Sequence, residues 1–427
     1  MKTPDFKPES LMMSYGHNPK EAFGAVKSPL YQTSTFAFNS AEEGKAYFEL
    51  AYGLREPEKN EELGMIYSRL NNPNLSVLEK RLCLWDKSED AAVFESGMAA
   101  ISTVFMEFLN PGDLLVYTLP TYGGTHHFIE HFLPKMGIHA IGIYPDQDIE
   151  EVKKLIVDSG KSAALRMMYL ETPANPSGHL LSIADYAALA MKFSQGEREV
   201  LTVVDNTFMG PVWQHPLKHG ADLVVYSATK YIGGHSDVVA GAVLGNAELM
   251  QQVKVLRTFL GNMCSPHTAW LLQRSLETLQ VRMDRQAKNA ALVADYIVNH
   301  EEVAYVNYLG HLKPESKLYD TYKKQCTAPG AMIAFYIKGG EAETFAFLNA
   351  LKLVKLAVSL GGTESLIQHP YAMTHAGVDP EIKERMDITE SLVRLSVGLE
   401  HPDDLIADIE QAFKAMKSLR KKENLYS

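Results

Sequence analysis

The chain has 427 residues, 46% hydrophobic and 22% charged, with 41 Lys and Arg against 52 Asp and Glu, a formal net charge of −11. That length implies two or three cores at roughly 100–200 residues per domain, and the acidic balance disfavours nucleic acid and anionic lipid as partners. Three dispersed cysteines, Cys83, Cys264 and Cys326, supply neither a disulfide framework nor a Cys-x-x-Cys metal motif.

The chain opens on the polar MKTPDFKPES, which lacks the apolar region of a secretory signal. No apolar run approaches the ~18–20 residues of a membrane helix, so a soluble cytoplasmic enzyme is expected. Residues 1–75 mix Gly, Pro, Ser and charge, as in LREPEKNEELG (54–64). They are expected to be irregular, an arm packed on another body or a disordered tail. LSVLEKRLCLWD (75–86) has helical spacing, with Leu75, Leu78, Leu82 and Trp85 on one side. AAVF (91–94) then leads into SGMAAISTVFMEFL (96–109), a strand, turn and helix. DLLVY (113–117), IHAIGIY (138–144), ALRMMYLE (164–171), VLTVVDN (200–206) and DLVVYS (222–227) are short apolar runs separated by helical or loop stretches such as 149–156 and 183–193. That alternation predicts an α/β body with a largely parallel sheet covered on both faces. Beyond about 250 the pattern is more helical, through 267–298. The segments 331–337, 343–351 and 392–399 suggest a smaller α+β unit, closed by an amphipathic helix over 403–420. The predicted division is an arm to 75, a large domain over 76–270 and a small domain over 271–427.

Chemistry concentrates in VVDNTFMG (203–210) and YSATKYIGGHSDVVAG (226–241). Asp205 stands where an apolar strand stops, and open α/β sheets bind ligands beyond the carboxyl ends of their strands. Lys230 follows the next strand among Ser227, Ala228, Thr229 and the pair Gly233–Gly234. Partial desolvation there lowers an amine's pKa and frees it to condense with an aldehyde. The G-x-x-x-x-G-K-[ST] spacing of a nucleotide loop is absent. Pyridoxal phosphate needs a lysine, a carboxylate for its ring nitrogen, phosphate donors and a stacking aromatic. Lys230 and Asp205 meet the first two needs. Ser227 and Thr229 offer hydroxyls, Ser96–Gly97–Met98 offer N–H groups at a helix start, and Tyr122 in PTYGGT (120–125) offers a ring. Taken singly, each has a plainer use as a turn, cap or packing residue; their joint placement points to the cofactor. His126, His127, His235 and His369 lack the spacing and partner carboxylates of a metal site, and no metal is expected.

With IYSRLNNPNLSVLEKRL (66–82), YLETPANPSG (169–178), SPHTAWLL (265–272), SLGGTESLIQHPYAMTH (359–375) and VRLSVGLE (393–400), the chain from about residue 28 onward resembles the Cys/Met-metabolism family of pyridoxal-phosphate enzymes. The family includes methionine γ-lyases, cystathionine lyases and cystathionine γ-synthases. The resemblance implies fold-type I, with a mainly parallel sheet in the large domain and a smaller α+β C-terminal domain. It implies that Lys230 carries the cofactor and shuttles protons, Asp205 pairs with the ring nitrogen and Asn175 contacts the 3-oxygen. Tyr122 would stack on the ring and serve as acid/base near the leaving group. Ser96, Gly97, Met98, Ser227 and Thr229 would hold the phosphate from the same subunit, and Tyr67 and Arg69 from a neighbour. Ser359 and Arg394 would hold the substrate carboxylate. Homotetramers built from dimers are typical of such enzymes, so the arm would cross a subunit interface.

Within the family, Ile66 and Val358 stand where cystathionine γ-lyases carry acidic residues, and an apolar pair there suits a neutral thioether or thiol. A lyase acting on methionine or homocysteine is therefore expected. Gly124, where methionine γ-lyases usually carry a cysteine, and Arg257–Thr258, where several have Lys-Asp, depart from that enzyme. They keep cystathionine γ-synthase or a γ- or β-lyase as the alternative. A silent cofactor-binding scaffold is the remote third reading, opposed by the intact Lys230, Asp205, Tyr122 and Arg394.

Overall fold

The computed structural model describes residues 6–58, 61, 63–196 and 199–426, with side chains to 420. Its first sheet runs from β1 (Asp90–Phe94) through β2 (Leu114–Thr118), β3 (His139–Ile143), β4 (Leu165–Glu171), β5 (Leu201–Asp205) and β6 (Leu223–Tyr226) to β7 (Gly241–Gly245). In space the order is β1-β7-β6-β5-β4-β2-β3. β3, β2, β4, β5 and β6 are mutually parallel, while β7 runs antiparallel between β6 and β1. β2, β4 to β7 and most of β1 are buried. Separate clusters pack the two faces of this sheet, Leu115, Tyr117, Met167 and Val203 on one side and Leu114, Val116, Met168 and Val204 on the other. Continuous apolar runs are what two covered faces require.

Polar caps mark the helix starts. Asn72 accepts from Asn74 N–H ahead of Pro73–Asp86, Ser96 from Ala99 N–H ahead of Gly97–Phe108, and Asp148 forms a capping box with Glu151. A second sheet joins β8 (Val303–Asn307), β9 (Met332–Ile337), β10 (Lys355–Leu356), β11 (Leu366–Gln368) and β12 (Leu392–Ser396) in the order β10-β11-β12-β9-β8. The helix Pro402–Tyr426 buries Leu405, Ile409, Phe413 and Met416 in the same core, packing against the helices Glu341–Ala350 and Leu279–Val298. Each such side chain contributes about 1.5–3 kcal/mol.

The structure corrects several local expectations. The arm is not formless: Ser40 caps a helix over Ala41–Ala51, and Asn72, Asn74 and Trp270 bind the main chain of Ser28, Pro29 and Tyr31. Its aromatic residues pack on one another, with Phe38 edge-on to Tyr47 and Phe48, so no long apolar stripe marks the helix. The helical stretch 267–298 is two helices, Pro266–Leu276 and Leu279–Val298. Arg282 reaches back to the Ser275 carbonyl and the Thr278 hydroxyl at the break. β7 was unanticipated, because Gly-Ala-Val-Leu-Gly carries little bulk to announce a strand.

Candidate active site

The carboxyl ends of β4 and β5, the start of the helix Gly97–Phe108 and the paired residues Gln368 and Arg394 of β11 and β12 border a cavity of about 350 Å3. Ser96, Gly97, Met98, Tyr122, Asn175, Asp205, Ser227, Thr229, Lys230, Ser359 and Arg394 all line it. Tyr67 and Arg69 do not. Both are exposed on the arm, where Arg69 donates to the Thr258 carbonyl (2.7 Å) and lies 5.9 Å from the Tyr67 ring.

Lys230 donates from Nζ to Ser359 Oγ at 2.8 Å. Burial, with help from the Arg394 charge, pushes its amine down to about 8. Ser359 holds a left-handed φ of 116°, a strain of about 1–3 kcal/mol for a residue other than glycine. That conformation offers its hydroxyl to Lys230 and its carbonyl to Arg394 NH2 (2.7 Å). Arg394, 4% exposed on β12, also donates to Asn175 Oδ1 at 2.9 Å. With its amide oxygen turned inward, Gln368 accepts from the same guanidinium. A buried alternating strand thus aims one cation into the cavity.

Asp205 is buried and held by neutral donors, Tyr169 Oη (3.1 Å) and Thr207 N–H (3.0 Å). Burial raises its carboxyl above the usual range, and a cationic ring N–H is the partner that would reverse that. Ser96 spends its hydroxyl capping the helix, while the N–H groups of Gly97 and Met98, at the first two helical positions, have no intrahelical acceptor. A Cβ on Gly97 would stand 2.9 Å from Ser227 Cβ, so glycine lets the helix start close on Ser227. Thr229 differs from expectation: its hydroxyl donates to Ala240 O (3.2 Å) and accepts from Ala240 N–H (3.0 Å). Tyr122 is half-exposed at the start of the helix Gly123–His131, its ring available to the cavity.

Thr207 and Glu171 are among the lining residues that the sequence reading did not assign to the site. Thr207 accepts from Ser227 N–H (2.9 Å) while its own N–H holds Asp205. Glu171 ends β4 as the register partner of Asp205; a second polar residue closing a second apolar strand was the signal. Ile66 is corrected outright. It is 5% exposed inside its own arm and does not present an apolar face to a substrate, whereas Val358 stands 58% exposed at the cavity rim.

Two expected results arise from this geometry. A Cβ on Gly241 would lie 2.1 Å from the Ser96 carbonyl oxygen, which is main chain and cannot swing away. Gly241→Ala should therefore cost about 3 kcal/mol and displace the helix start. A lowered Tm together with weaker pyridoxal phosphate binding would show it, and an unchanged Tm would refute it. The second concerns pH. Because the Lys230 pKa lies below its ordinary value, the neutral amine predominates above about 8 and the ammonium below. The rate at which apoprotein takes up pyridoxal phosphate should rise with pH and level off past about 8. A rate still climbing tenfold per pH unit at pH 10 would contradict it.

A depressed lysine, a buried acid held by neutral donors and a helix-start cradle beyond parallel strands are what pyridoxal phosphate requires of an α/β scaffold. Residues 9–414 match the family model described as Cys/Met metabolism PLP-dependent enzyme. The chain belongs to this family. It is 41% identical to an L-methionine gamma-lyase of Pseudomonas deceptionensis over 404 residues, 94% of this chain and 96% of that one. It is 38% identical to a cystathionine gamma-lyase of Bacillus subtilis, covering 96% and 99% of the two chains. The crystal structure of a cystathionine gamma synthase from Xanthomonas oryzae pv. oryzae superposes with TM-score 0.85 at 33% identity, over 97% of this chain and 100% of that one. The fold is the fold-type I α/β architecture of these pyridoxal-phosphate enzymes.

Proposed function

We propose that the chain is a carbon–sulfur lyase that converts methionine, homocysteine or a related thioether, with one water, into a thiol, ammonia and 2-oxobutyrate. The observation that carries this reading is the apolar rim above Lys230. Val358 and Val239 stand exposed there beside Leu360, and a neutral sulfur substituent is desolvated at such a rim more cheaply than an ammonium group. The lyase names of the relatives support it.

Asp205 would face the ring nitrogen and Asn175 the 3-oxygen, with Tyr122 over the ring. The N–H groups of Gly97 and Met98, positioned by Ser96, would hold the phosphate with the hydroxyls of Ser227 and Thr229, the latter after release from Ala240. Bound there, pyridoxal phosphate supplies an aldehyde for the substrate's amino group and a ring that accepts electrons. Arg394 and Ser359 would grip the carboxylate and set the Cα–H bond toward Lys230, whose Nζ would take and return that proton. The half-exposed Tyr122 hydroxyl would serve the departing sulfur.

The phosphate cradle contains no charged side chain, and Tyr67 and Arg69 stand exposed outside the cavity of their own chain. Both features support an arm (1–75) that reaches a neighbour's cradle in a homotetramer, beside the large (76–270) and small (271–427) domains. No described helix is long and apolar enough to cross a membrane. Cys83, Cys264 and Cys326 are free, which suits a reducing cytoplasm. Burial pushes the Cys83 thiol up to about 11 and that of Cys326 to about 12, leaving the sulfur chemistry to the cofactor.

One observation favours cystathionine γ-synthase or lyase instead. A Cβ on Gly124 would approach the Tyr122 ring to 2.7 Å, so the cysteine that methionine γ-lyases usually carry there would press on the stacking residue. Holoenzyme offered methionine, homocysteine, cystathionine, cysteine and acylated homoserines, each scored for thiol and 2-oxo acid, decides between them. Methanethiol and 2-oxobutyrate from methionine support the lead reading. Cystathionine made or consumed far faster than methionine selects the second, and pyruvate in place of 2-oxobutyrate from cystathionine selects a β-lyase.

A further inference from the structure

Glu171 has no part in the chemistry above, yet it is among the most heavily engaged groups at the site. It is 4% exposed. Its Oε2 accepts from Thr121 Oγ1 (2.6 Å) and Tyr122 N–H (2.7 Å), and its Oε1 from Asn175 N–H (3.2 Å). One carboxylate thus ties the loop after β2, which carries Tyr122, to the loop after β4, which carries Asn175. The connection continues. Asn175 Oδ1 accepts from Arg394 NH1, Arg394 NH2 donates to the Ser359 carbonyl, and Ser359 Oγ accepts from Lys230 Nζ.

The placement is costly. Glu171 and Asp205 end adjacent parallel strands in register. Burial and the neighbouring Asp205 charge push the Glu171 carboxyl up to about 8; the three donors aimed at its oxygens and the Arg394 guanidinium favour the charged form. A neutral acceptor would tie the loops without that repulsion. What a carboxylate adds is two acceptor oxygens, each able to take several donors, and a charge facing the Arg394 guanidinium.

We propose that Glu171 is a positioning residue, whose carboxylate locks Tyr122 and Asn175 into one frame and thereby sets Arg394 in register with Lys230 for the substrate carboxylate. This rests on the reading of Tyr122, Asn175 and Arg394 as site residues. Neither Glu171 nor Thr121 needs to touch cofactor or substrate to act.

The test uses purified holoenzyme and glycine, an amino acid with no sulfur to eliminate, titrated against the visible absorbance of the bound cofactor. Glu171→Gln keeps the side chain's size but turns an N–H toward backbone N–H donors. It should retain bound pyridoxal phosphate and a Tm within a few degrees of wild type, while glycine binds roughly tenfold more weakly and kcat falls about tenfold. Thr121→Val, which deletes one donor to Glu171, should weaken glycine about threefold, and Thr121→Ser should restore it; this pair decides the matter if Glu171→Gln does not fold. A folded Glu171→Gln with wild-type glycine affinity overturns the proposal, as does Thr121→Val indistinguishable from Thr121→Ser. A wild type that turns over no thioether but shows these glycine differences removes the lyase reading alone. Arg394→Lys binding glycine as tightly as wild type removes the carboxylate site, and the proposal with it.

Discussion

Lys230→Ala is expected to abolish turnover, by roughly 10³-fold or more, and to leave pyridoxal phosphate only reversibly bound. The side chain is held to Ser359 at 2.8 Å and its amine is depressed to about 8, which suits its proposed double role as nucleophile and proton carrier. Loss of a positioned general acid–base alone costs about 10²–10⁴-fold, and loss of the nucleophile adds to that. The measurement has two parts. Borohydride-treated wild type should keep its cofactor through denaturation, with the mass increase on the peptide containing Lys230, while the variant should keep none. Alanine opens space among small neighbours and should leave Tm close to wild type, so activity and fold separate cleanly. Turnover within tenfold of wild type would remove Lys230 from the chemistry.

Arg394→Lys should be nearly as severe, lowering kcat/KM for amino-acid substrates by about 10²–10³-fold. A guanidinium presents a planar fork to a carboxylate, and a lysine presents a single flexible point charge. Arg394 is aimed by Asn175 and the Ser359 carbonyl, contacts that a shorter ammonium cannot satisfy together while still reaching a ligand. Two charge-assisted hydrogen bonds at about 1.5–2 kcal/mol each account for the factor. An amine analogue lacking the carboxylate provides the control. Wild type and variant should process it equally poorly, and a variant that loses as much on the analogue as on the amino acid would show a general structural defect.

The residues that revealed themselves in the sequence did so for a local reason. Asp205 and Lys230 stand just past apolar runs that could only be buried strands, so their chemistry is exposed by what precedes them. Ser96–Gly97–Met98 is legible as a strand-to-helix junction for the same reason. Glu171 closes an equally apolar strand but looks like an ordinary turn residue until Thr121 and Tyr122, about fifty residues earlier, arrive at its carboxylate. Arg394 in an alternating strand resembles a surface residue, and only the family resemblance pointed it inward. The helix Ala41–Ala51 was obscured because its apolar residues pack within the arm.

Chain order alone was sufficient for the α/β class, the family and the cofactor. These follow from periodicity and from motifs a few residues long, where neighbours in sequence are neighbours in space. The assembled site is a different matter. Lys230 meets Ser359 across 129 residues and Arg394 meets Asn175 across 219, and no local pattern encodes such closures. Tertiary packing likewise decided that Ile66 is buried while Val358 is free, that Thr229 is drawn to Ala240, and that Ser359 holds a strained φ. Burial and backbone strain depend on everything that surrounds a residue, and that is present only once the chain has folded.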